Sequence, residues 1–148
     1  MQATSFITPD PAGAPARRVL VVDDSAAQRR VLSLFLTRWG YRVTEAATGQ
    51  AALALCRDQA FDMILSDWMM PGMTGLELCR ALRALPAERY GYFILLTSKS
   101  DKAEVAHGLD GGADDFLSKP VNPHELRARI QAGERILAMQ TELLHKNR

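Results

Sequence analysis

The chain has 148 residues, enough for one domain with a hydrophobic core. Its hydrophobic content of 47% excludes a wholly disordered chain, and a formal net charge of +1 gives no electrostatic case for nucleic acid or an anionic membrane. No apolar run approaches the roughly 20 residues that span a bilayer, and no basic-then-apolar segment opens the chain as a secretory signal would.

Residues 1–16 hold Pro9, Pro11 and Pro15 among small residues and read as a disordered leader. Residues 17–138 read as the folded domain and 139–148 as a helical extension. The first strand is expected over about 18–22, ending at Asp23-Asp24. Val31, Leu32, Phe35, Leu36 and Trp39 then recur at helical spacing, and Gly40 fits a helix stop. Tyr41–Glu45 reads as a short strand whose polar residues suit a sheet edge. Residues 50–58 read as a second helix, with Ala52, Leu55 and Cys56 on one side. Phe61–Ser66 is the third expected strand and runs into Asp67. Thr74 to Glu77 has capping-box spacing and opens a helix to about Leu85, before Pro86. Tyr92–Leu96 is the fourth strand, running into Thr97. Asp101 to Glu104 repeats the capping-box spacing and opens a helix ending near Gly111-Gly112. Phe116–Ser118 is a short fifth strand, followed by Lys119-Pro120. Asn122-Pro123-His124-Glu125 is a helix start, and the helix it opens runs over about 123–146. Cys56 and Cys79, both in helical segments, read as buried thiols of a cytoplasmic protein.

Five strands alternating with five helices predict an α/β three-layer sandwich. Its parallel sheet lies between helices on both faces. With the flavodoxin-like order 2-1-3-4-5, the ligand site falls beyond the carboxyl ends of strands one and three. Those strands end in Asp23-Asp24 and Asp67. Carboxylates gathered this closely repel one another unless a cation sits among them. Mg²⁺ suits them, being a hard ion that uses few carboxylates and keeps several waters. Asp24 and Asp67 are the expected direct ligands. Asp23 is expected to act through water or to orient the others. The bland alternative is that Asp-Asp-Ser is only a loop and cap before the first helix. Asp67 can also act as a nucleophile on phosphorus. Lys119 can pair with a phosphoryl oxygen, and the Thr97 hydroxyl can turn towards it.

Val19–Ser25 (VLVVDDS), Ser66–Leu78 (SDWMMPGMTGLEL), Thr97-Ser98 and Ala113–Pro120 (ADDFLSKP) occur in this order along the chain. Together they resemble the receiver domain of bacterial two-component response regulators, over roughly residues 18–138. The Asp67-Trp68 segment is especially similar to the chemotaxis response regulators. The resemblance implies a switch rather than an enzyme acting on others. A histidine kinase or phosphotransfer protein would pass a phosphoryl group to Asp67 in a Mg²⁺-dependent step. Asp23 and Asp24 match the acidic pair, Thr97 the switch hydroxyl and Lys119 the lysine of the motif. The Lys–Pro peptide is commonly cis in this family. Met69 would offer its backbone carbonyl to the metal. Phe116 stands at the aromatic switch position, where many members have Tyr, and it cannot hydrogen-bond. Ordinary core is its alternative role.

The resemblance also implies that phosphorylation shifts the surface of the fourth helix, fifth strand and fifth helix, where a homodimer could form. The last helix offers a second dimer face. Ile136, Met139 and Leu143 follow coiled-coil spacing, and Ile130, Leu137 and Leu144 recur every seven. Packing of one face on the sheet is the alternative. Gly133–Arg148 resembles the helical linker to a diguanylate cyclase or serine-phosphatase output domain. A module of a larger regulator and a stand-alone regulator are both open. A phosphatase of the haloacid-dehalogenase type competes, but it needs an Asp where this chain has Met69. A degenerate receiver used only for binding competes as well.

Overall fold

The computed structural model describes residues 17–86, 91–98 and 111–146. The expected leader and the expected helix opening at Asp101 lie outside the described residues. The elements run β1 (Arg18–Val22), α1 (Ala26–Arg38), β2 (Arg42–Ala46), α2 (Gly49–Asp58), β3 (Met63–Asp67) and α3 (Gly75–Arg83). They continue with β4 (Tyr92–Thr97), β5 (Asp115–Ser118) and the C-terminal helix α4 (Pro123–Lys146). The five strands form one sheet in the order β2-β1-β3-β4-β5, every pairing parallel. The expected fold and strand order are therefore present, with the polar β2 at an edge.

Each central strand is apolar through its middle, up to the polar residues at its ends, because each side meets a helix layer. Leu20, Val22, Ile64, Phe93 and Leu95 pack with Ala52, Cys56, Leu76 and Cys79 from α2 and α3. Val19, Val21, Met63, Leu65, Ile94 and Leu96 face the other way, onto Leu32 and Leu36 of α1 and Leu126, Ile130 and Leu137 of α4. Cys56 and Cys79 are both buried thiols.

Several boundaries differ from expectation for local reasons. β3 begins at Met63 rather than Phe61. Asp62 instead closes a loop on Arg18, donating its N–H to the Arg18 carbonyl at 2.9 Å and accepting the Arg18 N–H on Oδ2 at 2.7 Å. α3 stops at Arg83 rather than Leu85. Ala84 and Leu85 tighten into three-residue turns on Ala81 and Leu82, because Pro86 disfavours helical backbone just before it. On α1, Val31 faces outward at 50% exposure, although it belongs to the apolar spacing. Asn122 caps α4 as expected, its Oδ1 accepting the N–H groups of His124 at 2.8 Å and Glu125 at 3.1 Å.

Candidate phosphoacceptor and metal site

Parallel pairing sets the strand ends side by side. Val22 is in register with Ser66, Asp67 with Leu96 and Thr97 with Ser118. The residues following these positions therefore collect at one rim of the sheet. Asp23 leaves β1 and donates its N–H to the Ala46 carbonyl at 3.2 Å. Its carboxylate turns inward, where the residue is 1% exposed. Asp67 is the last residue of β3 and is 7% exposed. Asp24 is exposed. Each of the three offers one carboxylate oxygen, and these oxygens lie within 4.8 Å of one another.

Lys119 is the cation of the rim. Its Nζ stands 2.8 Å from Asp67 Oδ2 and 3.9 Å from Asp23 Oδ2. The loop that presents it begins with the Lys119 N–H donated to the Thr97 carbonyl at 2.7 Å, and the Lys119–Pro120 peptide is cis. Thr97 is 4% exposed at the end of β4. The five polar residues expected at the site thus come to one sheet edge.

One ammonium cannot balance three carboxylates. Asp23 shows the imbalance. Its Oδ1 accepts the Ser25 N–H at 2.9 Å, whereas its buried Oδ2 has no hydrogen-bond partner. Burial pushes its carboxyl pKa above the ordinary 3.8. The Ser25 N–H pulls it back, and the Asp67 charge raises it further. An orphaned buried oxygen among three carboxylates fits a cation, and the all-oxygen donor set fits a hard divalent one.

Phe116 is half-buried, its ring centroid 6.2 Å from that of Trp68 and inclined by 31°. It packs against the core shared with α2 and α3, so both its expected roles remain compatible with its place. Met69, two residues beyond Asp67, is 67% exposed.

Sequence reasoning missed three contributors. Gly75 lies under Asp67. An added Cβ there would stand 2.3 Å from the Asp67 carbonyl oxygen, so only glycine allows α3 to start so close to the site. Arg29 Nη1 donates to the Asp23 carbonyl at 2.7 Å and its Nε to Glu45 Oε1 at 3.2 Å, tying the acidic turn to β2. Gln28 Oε1 accepts a hydrogen bond from Lys119 Nζ at 3.0 Å. A sequence separation of 91 residues hides that contact from any local pattern.

Known proteins are similar to this chain in sequence and fold. The family model described as "Response regulator receiver domain" matches residues 19–131. The transcriptional regulatory protein ResD of Bacillus subtilis (strain 168) is 39% identical over 130 residues, 88% of this chain and 52% of that protein. The transcriptional regulatory protein AfsQ1 of Streptomyces coelicolor is 44% identical over 117 residues, 77% of this chain and 49% of its own length. The chain thus spans about half the length of the curated relatives it matches. Among solved structures, the chemotaxis protein CheY4 of Vibrio cholerae aligns with a TM-score of 0.75 at 37% identity, covering 79% of this chain and 98% of that one. A probable two-component system response regulator/GGDEF domain protein aligns with a TM-score of 0.77 at 32% identity, covering 82% of this chain and 50% of that one. The fold, the rim of carboxylates with its lysine, and these matches place the chain in the response regulator receiver domain family of two-component signal transduction.

Proposed function

We propose that Asp67 accepts a phosphoryl group from the phosphohistidine of a histidine kinase or phosphotransfer protein. The observation that carries this reading is the place of Asp67 at the end of β3, with Lys119 Nζ 2.8 Å away and two more carboxylates beside it. An Asp67 oxygen bonds to phosphorus as the phosphorus–nitrogen bond of the donor breaks. The imidazole nitrogen keeps that electron pair and takes a proton from water. Held by Asp23, Asp24, Asp67 and the backbone carbonyl of Met69, Mg²⁺ would supply neutralisation of the phosphoryl oxygens. Lys119 pairs with one of these oxygens, and the Thr97 hydroxyl turns to another. The space Thr97 leaves draws Phe116 inward, which shifts the surface around β5 and α4.

Two further features support partners. A groove of about 310 Å³ beside Lys119 is lined by Ala27, Val31, Leu32, Phe35, Pro120 and Val121, and it would seat the donor's histidine-bearing helix. Met139 and Leu143 stand exposed along α4 and would form a homodimer face. The face around β5 is the other candidate. This reading places the chain in the cytoplasm with its kinase, as a switch without substrate turnover. Among the described residues no helix is long and apolar enough to cross a membrane.

The test is mass spectrometry after incubation with acetyl phosphate and Mg²⁺. An adduct of about 80 Da, one phosphoryl unit, is expected on the wild type and absent from Asp67→Asn. No adduct on the wild type sinks the proposal. Steady turnover of a phosphomonoester would favour a hydrolase instead.

A further inference from the structure

Among the described residues, two helix starts with a Ser or Thr cap and a Glu or Gln three residues on end differently. Thr74 to Glu77 forms a closed capping box. The Glu77 N–H donates to Thr74 Oγ1 at 3.1 Å, and the Thr74 N–H donates to Glu77 Oε1 at 2.9 Å. Ser25 to Gln28 has the matching Ser-x-x-Gln pattern, which permits the same reciprocal pair. Only half of it forms. The Gln28 N–H donates to Ser25 Oγ at 3.3 Å. The Ser25 N–H is taken by Asp23 Oδ1 at 2.9 Å. The Gln28 carboxamide, left without its usual local partner, reaches Lys119 Nζ at 3.0 Å instead.

We infer that Gln28 is a positioning residue for phosphoryl transfer, its carboxamide oxygen holding the Lys119 ammonium at the rim between Asp23 and Asp67. This inference rests on the phosphoacceptor reading and deepens it. An ammonium has three donors and a long stem with many rotamers. In this site one donor goes to Asp67 Oδ2 and one to Gln28 Oε1. A neutral acceptor suits the task. It holds the ammonium without adding a fourth negative charge to a site that must receive an anion. It also keeps its hold when the ammonium turns from the Asp67 carboxylate to the new phosphoryl oxygen.

The test is a double-mutant cycle between Gln28→Met and Lys119→Met. Met is unbranched, close to Gln in length and suited to a helix, and it keeps the backbone bond to Ser25. The rate constant for phosphorylation by acetyl phosphate is measured at saturating Mg²⁺, with tryptophan fluorescence giving the Mg²⁺ half-saturation. Gln28→Met is expected to slow the wild-type reaction about three- to tenfold, the scale of one net hydrogen bond. It is expected to change nothing further in the Lys119→Met background, and to leave the Mg²⁺ half-saturation unmoved. Equal slowing in both backgrounds, or a wild-type rate for Gln28→Met, overturns the assignment. Should Lys119→Met react too slowly to read, the NMR order parameter of the Lys119 Nζ group decides. A drop in Gln28→Met upholds the assignment and no change overturns it. A wild type that takes no phosphoryl group at all sinks the phosphoacceptor reading itself, whereas a reactive wild type matched by Gln28→Met sinks only this inference.

Discussion

Asp23 keeps a carboxylate in a place that is 1% exposed, with one oxygen that no donor reaches. Burial raises its folded pKa above the ordinary 3.8, so over that interval the folded chain holds a proton that the unfolded chain has lost. Metal-free stability therefore falls as pH rises through the interval, and the full penalty is present above it. Asp23→Asn removes the penalty and keeps an oxygen for the Ser25 N–H. In chelator at neutral pH the variant is expected to unfold at a higher urea concentration, by about 1 kcal/mol, as functional-site replacements often do. Its advantage over the wild type should shrink as pH falls towards the carboxylate range, and its fluorescence response to Mg²⁺ should weaken. A wild type as stable as Asp23→Asn at neutral pH in chelator would refute this account. The acidic pair was legible in the sequence because it follows an apolar run. The unequal burial of Asp23 and Asp24 was not, since the choice of inward and outward depends on where β1 ends against β2 and β3.

α3 is fastened at its C-terminal end by one side chain. Arg83 Nε donates to the Gly112 carbonyl at 3.0 Å and Nη1 to the Gly91 carbonyl at 2.9 Å, while Nη2 lies 2.8 Å from Asp114 Oδ2. Asp114 Oδ2 also accepts the Phe93 N–H at 2.8 Å, so helix, β4 and the approach to β5 share one knot. Gly112 has φ +100°, and a Cβ there would stand 2.9 Å from Arg83 Cγ. The knot sits at the opposite ends of the strands from the carboxylate rim. Arg83→Leu is expected to cost about 2–3 kcal/mol, since hydrogen bonds to charged groups are worth this much and the carbonyls are left without a donor. Urea unfolding measures it, and Asp67 phosphorylation by acetyl phosphate should persist under native conditions. A cost below about 0.5 kcal/mol, the range of ordinary surface changes, would show that the knot is incidental. The Thr74–Glu77 capping box and the Asn122 cap were readable because their partners lie within three residues. Arg83 resembled any basic residue in a last helical turn.

For the molecule as a whole, the C-terminal helix holds two apolar sets on different faces. Ile130 and Leu137, one heptad apart, are buried against the sheet. Met139 and Leu143 are 57% and 59% exposed. The seven-residue recurrence is therefore core packing at these two positions, Ile136 also packs against that core, and Met139 and Leu143 remain for the proposed dimer face. Leu137→Ala is expected to cost about 2–5 kcal/mol of stability, as buried Leu truncations do. Met139→Ser should change monomer stability by less than about 0.5 kcal/mol. Sedimentation of the phosphorylated chain distinguishes the two dimer surfaces. A dimer weakened by Met139→Ser belongs to the helix, and one indifferent to it belongs to the face around β5.

Fold class and the residue types at the strand ends were written locally, whereas the strand order was taken from the flavodoxin-like fold and is a property of the closed sheet. Continuous apolar runs require burial on two sides, parallel strands require crossover helices, and polar residues at the ends of such runs must emerge at one edge. What the sequence could not decide was contact between residues far apart in the chain. The reach of Lys119 to Asp67 and Gln28, the orphaned Asp23 oxygen, the glycine seat beneath Asp67 and the outward face of α1 depend on how layers pack and which partner claims each donor. Such competition is settled only when the whole chain has closed, because a local acceptor such as the Gln28 carboxamide oxygen can be claimed by a donor 91 residues away.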